Sequence, residues 1–89
     1  METRVLVAIN NIHLPLAEGI VYRLQAKFPL MRFALTFALT SDGPTTAIWL
    51  LNVPDLPFLR IEIMYYTDGI LDGMNLVKSY EETQILRRN

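Results

Sequence analysis

Large apolar side chains alternate with small or hydroxylated ones from Met31 to Thr40, with Phe33, Leu35, Phe37 and Leu39 on one side and Ala34, Thr36, Ala38 and Thr40 on the other. A period of two is that of a strand with one face buried. The opposite face lacks the Lys and Glu of a solvated sheet. From Phe33 to Leu59 the only charged residues are Asp42 and Asp55, each close to a proline in turn-forming sequence. The pattern therefore predicts a sheet whose second face is also covered or paired.

Upstream, Arg4 to Ile9 is short and rich in β-branched residues, with Val5, Val7 and Ile9 on one side and Leu6 and Ala8 on the other. Apolar residues on both sides predict an internal strand. Asn10-Asn11 breaks the run, and Pro15 is tolerable in a first helical turn, where backbone N–H groups lack intrahelical partners. Leu16, Ile20, Leu24 and Phe28 recur every four residues with Ala17 and Val21 beside them, which predicts an amphipathic helix ending before Pro29. If both flanking strands join one sheet, a crossover places this helix against Val5, Val7, Ile9 and the Phe33/Leu35/Phe37/Leu39 face.

Ser41-Asp42-Gly43-Pro44 is a turn, with Asp and Gly supplying the turn chemistry and Pro44 interrupting a ladder. Thr45 to Val53 then returns as an antiparallel strand, apolar on both sides. After Val53-Pro54-Asp55-Leu56-Pro57, a stiff connection, the run Phe58 to Thr67 alternates Leu59, Ile61, Ile63 and Tyr65 against Arg60, Glu62, Met64 and Tyr66. It reads as a fourth strand lying near an edge. Asp68-Gly69 and Asp72-Gly73 read as turns. The tail predicts a helix from about Met74 to Arg87, supported by the Lys78/Glu82 spacing, or else a hairpin of Ile70-Leu71 against Met74 to Val77.

The expected fold class is α+β: a four-stranded mixed or mainly antiparallel sheet in the order β-α-β-β-β-α. One helix packs on one face and the C-terminal helix lies at the edge or on the other face. No internal repeat, low-complexity segment or linker divides the 89 residues, so one domain spans 1–89. A chain of this length buries only about 60% of the surface its unfolded form exposes. Hydrophobic residues make up 52% of it and charged residues 19%, an excess that burial against another subunit would absorb.

With no cysteine there is no disulfide framework and no thiolate metal site, which fits a reducing, cytoplasmic setting. The formal charge of −1 comes without a basic stripe, which argues against nucleic-acid binding. Arg87-Arg88 reads as a solvated chain end. No apolar run approaches the ~18 residues of a membrane span, and the N-terminus does not resemble a signal peptide.

Candidate chemistry is sparse. Neither Ser41 nor Ser79 lies in a nucleophile elbow, and one histidine without clustered carboxylates makes no metal site. The glycines form no phosphate loop, so no catalytic residue and no cofactor is expected. Two surfaces compete for a binding role. The first is apolar: Leu6, Ala34 and Thr36, with Trp49, Phe58, Met64 and Tyr66 as further anchors, and Arg60 and Glu62 setting register. Through such a sheet face or edge the chain would bind a protein partner, either a second copy of itself or the other subunits of a larger assembly. The second is the loop of Asn10, Asn11 and His13 after the first strand, where α/β units often meet small ligands. The expected function is thus a small soluble non-enzymatic interaction or regulatory protein, with a ligand-binding loop as the alternative.

Overall fold

The computed structural model describes residues 2–41 and 43–76. They form a strand β1 (Arg4–Asn10), a helix α1 (Leu14–Lys27), strands β2 (Phe33–Thr40) and β3 (Gly43–Leu50), and a helix α2 (Pro57–Gly73). The protein is α+β, with one antiparallel sheet in the spatial order β1-β3-β2. β1 and β2 both run antiparallel to β3, so they are parallel to each other with β3 between them. The crossover through α1 thus skips one strand. The return strand fills the gap, and β1, expected inside the sheet, is an edge.

Register places Val7 and Leu35 on either side of Ile48, Ile9 and Phe37 beside Thr46, and Phe33 beside Leu50. These residues form the inner face, and Val7, Ile9, Ile48 and Leu50 are buried there. Ala34 and Val5 flank Trp49, while Thr36 and Ala8 flank Ala47, on the outer face. A bulge between Val5 and Val7 resets the alternation, so Val5 does not share Val7's side as strict period two requires. Leu6 packs instead against the core.

α1 buries Ala17, Ile20 and Leu24, and Phe28 follows at its C-cap, where its N–H donates to the Leu24 carbonyl. Leu16, counted in the apolar stripe by spacing, is exposed: the buried line runs through Ala17 instead. Gln25 Nε2 donates to the Met31 carbonyl at 2.7 Å, and Asn52 clamps the next turn by accepting from Arg32 N and donating to the Leu30 carbonyl. These bonds fix where the chain enters β2.

The segment expected as a fourth strand is helical. Pro57 opens α2 within its first turn, a position where its fixed φ and missing N–H cost nothing. Ile63, Thr67, Ile70 and Leu71 are buried, with Leu59 and Tyr66 partly so, a spacing of three and four rather than two. The sheet therefore has three strands, in the order β-α-β-β-α. Asp68, Gly69, Asp72 and Gly73 lie within α2 instead of making turns, and Ile70-Leu71 is no hairpin strand. The buried Thr67 hydroxyl donates to the Ile63 carbonyl at 2.7 Å, so a polar atom enters the core satisfied.

Both helices join one core cluster with Val7, Ile9, Ile48 and Leu50, which puts them on the same face of the sheet. Phe28 and Tyr66 meet edge to face with ring centroids 5.6 Å apart, and Lys27 Nζ stands 5.9 Å from the Tyr66 ring centroid. Each fully buried Ile or Leu in this layer contributes about 1.5–3 kcal/mol. The expected helix from Met74 to Arg87 lies outside the described residues except at its start, where Met74 is the C-cap of α2.

Candidate functional site

The loop of Asn10, Asn11 and His13 is built by short-range bonding. Asn10 Oδ1 accepts from the Thr45 hydroxyl at 2.7 Å. Asn11 takes a left-handed conformation, φ 57°, which asparagine tolerates, and its N–H donates to the Pro44 carbonyl at 2.8 Å. Its side chain lies beside Gly43, where φ is 108° and an added Cβ would come within 3.1 Å of Asn11 Oδ1, closer than an ordinary contact. These contacts link the end of β1 to the start of β3. They also explain Pro44 within a central strand: the chain leaves the ladder at Asn11, so the N–H that proline lacks has no β1 partner to lose. His13 is the exposed N-cap of α1; its carbonyl accepts from Leu16 and Ala17, and its side chain makes no cap bond. The Asn10 side chain and the Asn11 backbone are thus committed to holding the turn.

The other group divides among four places. Ala34, Thr36 and Trp49 come together on the outer face, where Trp49 Nε1 donates to Thr36 Oγ1 at 2.7 Å. Leu6 is in the β1 bulge against the core, and Tyr66 lies between the two helices. Phe58, Arg60, Glu62 and Met64 are on α2, where residues two apart point in different directions. Arg60 and Glu62 therefore share no face. Phe58 and Met64 join Ile61 and Tyr65 in an exposed apolar stripe opposite the buried side of α2, with Phe58 87% exposed.

The edges of the sheet differ sharply. β1 carries the bulge at Leu6 and begins at Arg4, whose guanidinium pairs with Glu2. Bulges and charges of this kind blunt an edge against further pairing. β2 has neither. Its eight residues, Phe-Ala-Leu-Thr-Phe-Ala-Leu-Thr, hold no charge and no proline, and its pairing with β3 is regular from Phe33 to Thr40.

Hydrogen-bond phase along β2 follows from its ends. Thr40 pairs with Gly43 at one end, and at the other the Arg32 carbonyl accepts from Leu51 N at 2.8 Å. Both are even-numbered on β2, so alternation directs the backbone groups of Ala34, Thr36 and Ala38 toward β3. Those of Phe33, Leu35, Phe37 and Leu39 point away from it, and no described strand receives them. Phe37 and Leu39 are also 63% and 79% exposed, because α1 covers only the first half of the strand. Beside that half runs a shallow groove of about 440 Å³, lined by Glu18, Val21, Tyr22, Gln25 and β2 residues 33–35.

Phe37 and Leu39 were assignable by alternation only to the core face, and their exposure comes from where α1 lies. The sequence signal for this edge is the doubled Phe-Ala-Leu-Thr, which period-two reading treats as a single amphipathic strand. Among the described residues no three His, Cys, Asp or Glu side chains cluster as metal ligands, and no helix is long and apolar enough to cross a membrane. No protein-family model matches the chain, and no curated protein matches it significantly.

Proposed function

We propose that this protein is a non-enzymatic interaction protein that self-associates, and that its working surface is the free edge of β2. The observation that carries the reading is the contrast between the two edges. β1 is bulged and charged, whereas β2 presents eight uncharged residues with outward backbone groups at four of them. Edges of that kind recruit a further strand, main-chain bonds supplying affinity and alternate side chains supplying selectivity. The exposed Phe37 and Leu39 side chains add apolar area beside the bonds.

The test is a single charge on the edge. Phe37→Lys alters a side chain that is mostly in solvent, so circular dichroism should report an intact fold. Light scattering across a dilution series should show wild-type particles heavier than the 10.2 kDa chain, with the variant's dissociation shifted at least about tenfold toward monomer. A wild-type protein that stays monomeric at about 1 mM, a concentration at which even weak pairs associate, contradicts the reading. So does an assembly indifferent to Phe37→Lys.

A further inference from the structure

Resting on that reading, we infer that the strand added to β2 is the β2 of a second copy, antiparallel and with a two-fold axis at Thr36, giving a closed dimer with one six-stranded sheet. The outward groups belong to odd-numbered residues, so an antiparallel partner satisfies them only when odd residues face odd residues. Centring the axis on Thr36 sets Phe33 opposite Leu39 and Leu35 opposite Phe37, with Ala34 opposite Ala38 on the other face. All four outward residues of each strand are then paired. Axes at Leu35 or Phe37 pair only three and leave Leu39 or Phe33 unmatched.

The same register is the one in which the side chains complement themselves. The doubled Phe-Ala-Leu-Thr reads backwards from Leu39 as Leu-Ala-Phe-Thr-Leu-Ala-Phe, so every large residue meets a large one of the other kind and every small one meets a small one. Thr against Thr is a favourable cross-strand pair, and Phe against Leu buries apolar area on both side chains. At the axis the two Thr36 residues form a non-hydrogen-bonded pair with Cα atoms about 4.5 Å apart. Their hydroxyls keep a donor proton while accepting from Trp49. Phe37 and Leu39, which α1 does not cover, gain the partner's Leu35 and Phe33 as neighbours on the inner face.

An added strand must also stop further growth. In this arrangement both outer edges of the joint sheet are β1, already broken by the bulge at Leu6 and carrying Arg4. Two-fold pairing through β2 consumes the open edge of each chain, so the assembly closes at two instead of extending as a fibre.

The chain has no cysteine, so a single introduced thiol reports its own symmetry mate. Thr36→Cys is close in size and places two thiols across the axis on Cα atoms about 4.5 Å apart, inside the 4.4–6.8 Å Cα range of a disulfide. Mild oxidation should convert it to a covalent dimer. Leu35→Cys, Phe37→Cys and Ala38→Cys, whose mates are displaced along the strands, should remain uncrosslinked under the same conditions. Crosslinking at Leu35→Cys or Phe37→Cys in place of Thr36→Cys overturns this register while leaving the β2 edge as the surface. A dimer by mass that crosslinks at none of the four positions overturns the second-copy strand. If it also ignores Phe37→Lys, the edge reading falls with it. Because loss of the Trp49 bond accompanies Thr36→Cys, Thr36→Ser is measured in parallel; it should keep the wild-type mass, and its dissociation to monomer counts against the axis at Thr36 only if Thr36→Cys also fails to crosslink.

Discussion

Truncating Ile63 and Ile61 separately to alanine distinguishes a helical 57–73 from a strand, because the two residues share a face in a strand and lie on different sides of a helix. Ile63 is fully buried and Ile61 is 47% exposed. Removing three carbons from a closed site loses about 2.4 kcal/mol of transfer free energy at ~0.8 per group, and the cavity raises the loss to about 3–4 kcal/mol. At Ile61 the partial burial lost is offset by the better helix propensity of alanine, so the change stays below about 1 kcal/mol. A domain of this length holds only about 4–13 kcal/mol in total. Ile63→Val, at about 1 kcal/mol, therefore stands ready should Ile63→Ala fail to fold. Urea denaturation followed by circular dichroism at one fixed protein concentration gives both values. Equal losses at the two positions would refute the packing of α2.

That segment also marks where the sequence ceased to be legible. Apolar residues at 59, 61, 63 and 65 fit a period of two, and the helix uses only 59 and 63 of them for its core side. Phe58, Ile61, Met64 and Tyr65 fill its outer side with apolar residues, erasing the amphipathic contrast by which helices are recognised. Pro57 reads equally as the end of a linker or the opening of a helix, and Gly69 argued against the latter although it sits there without obstruction. By contrast β1, α1 and β2 were legible because each carries a local pattern backed by its own breakers, whereas Gly43 and Pro44, read as part of a turn, open β3 and pair with Thr40 and Leu39. The candidate surface was half visible: Ala34, Thr36 and Trp49 do share a face, but the edge itself depends on strand order, and the order β1-β3-β2 is a property of long-range pairing. The bulge at Leu6 is likewise invisible to alternation, which it interrupts.

Three further perturbations probe the fold that presents the edge. Gly43→Ala forces a side chain into φ 108° against Asn11 and should cost about 1–3 kcal/mol in urea denaturation, and a neutral result would count against the turn geometry. Thr67→Val replaces a hydroxyl that bonds a carbonyl of its own helix, so stability should stay within about 1 kcal/mol of wild type; a loss above 2 would mean that hydroxyl has a larger role. His13→Ala removes an exposed side chain that makes no cap bond, and a melting temperature changed by more than a few degrees would contradict its placement.

The most direct measurement is residue-resolved amide hydrogen exchange in β2 across protein concentrations. Ala34, Thr36 and Ala38 donate toward β3 and should be protected at every concentration. Phe33, Leu35, Phe37 and Leu39 should exchange freely in dilute protein and become protected as the dimer forms, together and with the same concentration dependence. Outward amides that still exchange at the unprotected rate where light scattering shows a dimer would contradict the account, because the edge would then be unused.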